Sequence, residues 1–134
     1  MPDIESLERA TLAAVPPQEL VDLDGWLVAL DDGTVGRAHS AAPTRHERVR
    51  VDLLPDIIDA YAARGRRAVF PVPQSAACDG VRDLLSARGG RESQPTLTMT
   101  GEVDGLARLA PAAGVTVVGT PREGWGRLVL REGF

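Results

Sequence analysis

Five consecutive apolar residues, Trp26 to Leu30, lie inside the stretch DGWLVALDDGTVGRAHS (residues 24–40), between acidic and glycine-containing flanks. A run this short and this apolar reads as an uninterrupted apolar strand, either at the edge of a core or on the floor of a site. Asp32-Gly33 supplies a pair able to take positive φ, as a two-residue type I′ turn requires, so Val35 to Ser40 are expected to return antiparallel. Leu30 then opposes Val35, Val28 opposes Arg37 and Trp26 opposes His39. Leu27 and Ala29 share the other face with Gly36 and Ala38, whose small side chains let a helix approach closely. On the first face Trp26, Arg37 and His39 are candidate ligand-binding residues, with Arg37 suited to a carboxylate or phosphate.

The flanking segments supply the other elements. Asp3 can cap a helix carrying Ile4, Leu7, Ala10 and Ala14 at helical spacing, which Pro16-Pro17 ends. Residues 41–52 are Arg-rich and read as a loop or short strand. Asp52 can cap a helix with Pro55 in its first turn, a face of Leu54, Ile57, Ile58 and Tyr61, and Gly65 as terminator. RRAVFPV (66–72) reads as a strand. Ser75 caps a further helix bearing Val81, Leu84 and Leu85, ended by Gly89-Gly90. PTLTMT (95–100) alternates as a strand with Leu97 and Met99 inward, 103–110 reads as a short helix and GVTVV (114–118) as a strand. The segment 122–134 fits either helix or strand. The order is that of a three-layer α+β domain.

Composition narrows the function classes. With 134 residues and 43% hydrophobic content, one core is expected, burying roughly two-thirds of the unfolded surface without help from a metal or disulfide. The single cysteine, Cys78, cannot form an internal bridge and is expected to be packed. His39 and His46 lack other ligands at metal-site spacing, so no metal site is expected. A net charge of −4 argues against a nucleic-acid partner. An acidic N-terminus and the lack of an apolar run near ~20 residues argue against a signal peptide or membrane span, and point to the cytoplasm.

The unit from Leu53 to Thr100 resembles the second half of a GNAT-type N-acetyltransferase domain, with LLSARGGRESQPTLTMT (84–100) similar to that family's helix end and following strand. IESLERATLAAVPPQELVDLDGWLVAL (4–30) and TVVGTPREGW (116–125) look similar to the N-terminal portion of tandem GNAT proteins, in which a degenerate first domain precedes a complete one. The resemblance implies a mixed, mainly antiparallel GNAT-like sheet with helices on both faces, in a single domain over 1–134. Its core would span 20–100, and 101–134 would be a C-terminal extension similar to the linker before a second GNAT domain.

The same resemblance implies a Q/R-x-x-G-x-G/A loop before the helix at 53–64, where backbone N–H groups surround the pyrophosphate of acetyl-CoA. TRHERVRVDLLPD (44–56) stands there without a glycine, and Asp52 and Asp56 bring negative charge where an anion would dock. Arg45 and Arg48, with Arg50, offer positive charge instead, and Arg45 and Arg48 join the candidate ligand-binding residues. The tyrosine that often serves the family as general acid aligns with Leu85, which cannot transfer a proton. The expectation is therefore a non-catalytic structural or regulatory domain, with no catalytic residue and no cofactor of its own. Its partner would be a second copy or a complete GNAT acetyltransferase. Two alternatives remain: an acetyltransferase whose acetyl-CoA site is completed by a second chain, and a small-molecule binding module lined by Trp26, Arg37 and His39.

Overall fold

Trp26–Leu30 (β2) is the central strand of a three-stranded antiparallel sheet, between Glu19–Leu23 (β1) and Ala41–Pro43 (β3), and all five of its residues are buried. This computed structural model describes residues 3–109, 113–114, 116, 118–120 and 124. The chain divides into two compact units, Met1–Arg91 and Glu92–Phe134.

In the first unit, β1 and β2 form a tight hairpin with Leu23 opposite Trp26 and Glu19 opposite Leu30. Its two-residue turn is Asp24-Gly25, with φ of 42° and 95°, the pair of positive values that lets a type I′ turn follow the strand twist. The hairpin expected at Asp32-Gly33 does not form. There the Asp31 carboxylate accepts from Gly33 N–H at 2.6 Å and from Gln18 N–H at 3.0 Å, pinning a loop instead of a turn between strands. Gly36–His39 follows as a 3₁₀ turn, and the chain pairs with β2 four residues later than expected. Val28 faces Ala41, Leu27 faces Ala42 and Trp26 faces Pro43, so the pairs Leu30–Val35, Val28–Arg37 and Trp26–His39 are all replaced.

Both faces of the sheet are covered. Trp26, Val28, Leu30 and Ala41 pack with Leu54, Ile57 and Tyr61 of a helix at Leu54–Ala62 (α2) and with Val81 of a helix at Asp79–Ala87 (α3). On the opposite face Leu27 and Ala29 pack against Leu12 of an N-terminal helix, Ile4–Ala14 (α1). The expected α+β arrangement with helices on both faces is thus present. Tyr61 Oη donates to the Ala29 carbonyl at 2.7 Å, tying α2 to the middle of the sheet.

Helix ends follow local chemistry. The Asp3 carboxylate caps α1 by accepting from Ser6 N–H at 2.8 Å, which holds its pKa below the usual value. Pro55 occupies the first turn of α2, but the residue at the cap is Leu53. Asp52, expected as the cap, lies in a preceding 3₁₀ turn (Val51–Leu53) and turns its carboxylate to Arg50. Gly65 and Gly89 end α2 and α3 at φ of 66° and 79°, and Arg66 N–H and Gly90 N–H reach back to the Tyr61 and Leu85 carbonyls. Ser75 makes no side-chain cap bond, because a 3₁₀ turn at Ala76–Cys78 intervenes before α3. The strand expected at 66–72 is an extended segment without a ladder, fixed to β3 by Ala41 N–H donating to the Val69 carbonyl at 2.9 Å. Phe70 meets Trp26 edge to face with ring centroids 6.0 Å apart.

In the second unit, Val103–Ala107 is a short helix (α4), within the range expected. Residues 95–100 form no strand, and Leu97 and Met99, expected to point inward, are each 82% exposed. The alternation there has no paired strand to bury it. The strand expected at 114–118 falls partly, and the segment 122–134 almost wholly, outside the described residues. Among the described residues no helix is long and apolar enough to cross a membrane.

Candidate functional site

Polar side chains gather where the β1–β2 turn meets the exit of β3. Thr44 clamps this corner, its N–H and its Oγ1 hydroxyl both donating to the Gly25 carbonyl, at 2.8 and 3.1 Å. The chain then turns outward, and the Arg45 side chain runs across Gly25, with methylene carbons 3.1–3.2 Å from where a Cβ would stand. Gly25 is required there twice over, for its φ and for this close approach.

Asp24, at the tip of the turn, is the hub. Its Oδ1 accepts from Arg45 Nη1 at 2.8 Å and its Oδ2 from Arg50 Nη1. Arg50 also grips Asp52 with two bonds, Nε to Oδ1 at 2.8 Å and Nη2 to Oδ2 at 2.7 Å, the fork geometry that suits guanidinium to carboxylate. The Asp52 contact raises the Arg50 pKa still further and holds the Asp52 carboxyl below its ordinary value. Arg48 completes a cleft of about 310 Å³ lined by Asp24, Arg45, Arg48 and Arg50. Among the described residues, Arg48 has no carboxylate within 4.0 Å, unlike Arg45 and Arg50.

The core holds this loop from beneath. Trp26 Nε1 donates to the Arg50 carbonyl at 2.9 Å while its ring is wholly enclosed, so Trp26 positions the loop and lines no cleft. His46 Nε2 donates to the Pro43 carbonyl at 2.9 Å, which leaves its buried Nδ1 as an acceptor without a partner.

Arg37 and His39 lie elsewhere. Both belong to the 3₁₀ turn that precedes β3, and Arg37 Nη1 donates to Glu8 Oε2 of α1 at 3.0 Å. The chain from His39 to Arg45 runs along β3, about 20 Å at the usual rise per strand residue. The structure therefore brings Arg45 and Arg48 together and separates them from Arg37 and His39. Asp24 and Arg50, the residues that organise the cluster, are not among the candidate ligand-binding residues read from sequence, where Arg50 entered only as additional positive charge in the loop. The alternation in Arg48-Val49-Arg50-Val51-Asp52, which puts three charges on one side, is the local signal that marks Arg50.

The start of α2 tests whether this loop could cradle a pyrophosphate. Val51 N–H is turned to the Val49 carbonyl at 3.0 Å, Leu53 N–H to the Arg50 carbonyl at 3.3 Å and Leu54 N–H to the Val51 carbonyl. Pro55 has no N–H to offer, and Asp56 stands in the first turn. Three of the donors are already used, the fourth position is a proline, and the two further N–H groups there belong to Asp52 and Asp56, whose carboxylates oppose an anion, so the residues present do not fit the group. Leu85, aligned with the family tyrosine, is half-buried against the core. Among the described residues no group of three or more His, Cys, Asp or Glu could hold a metal ion.

A family model described as "Probable histone acetyltransferase Rv0428c C-terminal" matches residues 2–133. The description places the domain at the C-terminal end of the protein it is named for, whereas the resemblance read from sequence is to an N-terminal portion. No curated protein and no solved structure matches the chain.

Proposed function

The chain belongs to this acetyltransferase-related family, and from that membership we propose that it is a GNAT-like domain that does not hold acetyl-CoA by itself and acts as a structural or regulatory partner. The observation that carries the reading is the start of α2, where three backbone donors (Val51, Leu53 and Leu54) are bonded within the chain, a proline stands in the first turn and Asp52 and Asp56 add negative charge. Side-chain guanidiniums tied to Asp24 and Asp52 do not replace such a cradle. Calorimetric titration and thermal unfolding with acetyl-CoA and CoA test it. A ligand at one hundred times its Kd stabilises by about 2.7 kcal/mol, a shift of several degrees in a domain this size. No heat and no shift at millimolar cofactor is the expected result, and a saturable isotherm with such a shift refutes the reading.

One observation favours a second reading, an acetyltransferase whose site is completed by another chain. Arg48 presents to the cleft a guanidinium with no carboxylate partner among the described residues, and an anion brought by an associating chain's cofactor would neutralise it. Under that reading cofactor binding appears only at protein concentrations where chains associate, and Arg48→Ala weakens it.

A further inference from the structure

β1 ends the sheet, and its outer edge is open among the described residues. The direction of each backbone group follows from the register. Gly25 C=O accepts from Thr44 N–H and Ala29 N–H donates to Ser40 C=O, so the odd-numbered residues of β2 point to β3. Trp26, Val28 and Leu30 therefore bond to Leu23, Val21 and Glu19 of β1, as the residues flanking a two-residue turn must. Leu20 and Asp22 are left with N–H and C=O directed outward. Their side chains share the face of α1, and both are about half exposed, Leu20 at 48% and the Asp22 side chain at 54%. Beside them Leu12, Pro16, Pro17, Leu20 and Leu27, with Arg9 at the side where it pairs with Asp22 at 3.1 Å, line a mainly apolar groove of about 270 Å³.

We propose that this edge pairs with β1 of a second copy, antiparallel about a two-fold axis at Val21, so that the two sheets become one. Only outward-facing residues can exchange ladder bonds, which leaves five registers centred on this strand; those centred on Glu19 and Leu23 are poor, since they pair Leu20 with Gln18, whose N–H is already given to Asp31, or Asp22 with Asp24 in the turn. Centring on Asp22 puts Leu20 opposite Asp24 in the turn, which leaves only the two ladder bonds of Asp22 itself, and brings together two carboxylates that are each already paired with Arg9. Centring on Leu20 pairs Asp22 with Gln18, whose N–H is already given to Asp31. Centring on Val21 pairs Leu20 with Asp22 of the second copy and Asp22 with its Leu20, giving four backbone bonds. Glu19 then meets Leu23, no acidic residue faces another, and the two apolar grooves lie on the same face across the axis, with Leu20 of each chain beside the groove of the other. A two-fold pairing closes, so it covers both edges without building a fibre. The inference rests on β1 alone and is independent of whether a cofactor binds.

Light scattering behind size exclusion, at about 10–200 µM of the 134-residue chain, is expected to give twice the 14.2 kDa chain mass, and a monomer throughout overturns the proposal. Leu20→Glu faces Asp22 of the second copy and is expected to raise the dissociation constant at least tenfold. Leu20→Arg gains an opposite charge there and is expected to tighten or preserve the dimer. If both variants dissociate it equally while keeping the wild-type circular dichroism, the register is wrong. Hydrogen exchange locates the contact: protection of the Leu20 and Asp22 amides should fall on dilution while that of Val21 does not change. A dimer whose Leu20 and Asp22 amides exchange alike at all concentrations would overturn the assignment to this edge.

Discussion

Tyr61→Phe removes one oxygen from the interior, and its consequence can be worked out in two pH ranges. The hydroxyl donates at 2.7 Å to the carbonyl of Ala29, in the strand buried on both faces, and Tyr61 is 1% exposed. Ala29 lies opposite Ser40, just after the 3₁₀ turn; the Ser40 carbonyl accepts the Ala29 N–H, but the Ser40 N–H makes no bond to Ala29, so the phenol takes the place of that ladder bond. Without it a buried acceptor is left unpaired, which costs about 1–3 kcal/mol. Near pH 8, urea unfolding should show this loss, with a fall in Tm of roughly 4–8 °C per kcal/mol for a unit of this size. Alkaline solution gives the second test. Burial pushes the Tyr61 pKa up to about 12, so above an unfolded value of about 10 the unfolded chain releases the proton first. The wild-type stability held below pH 10 is then lost as pH rises towards 12, at most about 2.7 kcal/mol for two pKa units. The variant has no such term, so the gap between the two proteins should close across that window. The chain has one tyrosine and no lysine, which keeps the window clear, and the effect of Cys78 cancels in the comparison. A gap at pH 8 below about 0.5 kcal/mol, under the range for a lost buried bond, or one that stays constant to pH 12, would refute the reasoning.

Two further substitutions probe the turn and the loop before α3. Gly25→Ala puts a Cβ at φ of 95°, 3.1–3.2 Å from the Arg45 side chain, and should cost about 1–2 kcal/mol in chemical denaturation. The same change at Gly36, which has open space around it and no positive φ, serves as the control and should cost nothing or stabilise by up to about 1 kcal/mol. Arg82 donates from Nη1 to the Pro73 carbonyl at 2.8 Å and from Nη2 to the Ser75 carbonyl at 2.9 Å. Arg82→Ala should therefore destabilise by about 1.5–3 kcal/mol and speed proteolytic cleavage at residues 73–75 well beyond the rate elsewhere.

What was legible in the sequence was whatever a few neighbouring residues decide. The apolar spacing of Leu54, Ile57 and Tyr61, the prolines after α1 and the glycines after α2 and α3 each fix an element within one or two turns, and each stands where its chemistry required. The hairpin was a contest between two Asp-Gly pairs eight residues apart, equivalent as turns. The winner was set by the strand each could recruit: Glu19–Leu23 could pair along its full length, while Asp31 had already bonded the chain beyond it into a loop. The resulting shift in register is four residues, an even number, so the strand that does pair, Ala41–Pro43, keeps the alternation expected of a returning strand, whereas Gly36–His39 leave the ladder as a 3₁₀ turn and Arg37 reaches α1 on the face opposite the one expected. Core burial depends on the face, which is why the three-layer α+β architecture survives the error. A polar site depends on height as well. At the corrected height Pro43, in place of His39, lies opposite Trp26, and Arg37 reaches Glu8, whereas the Arg45 and Arg50 guanidiniums converge on Asp24, 21 and 26 residues away. Charge clusters at strand ends are thus the feature most sensitive to register, and in this chain the choice between two turns decides which arginines share a cleft.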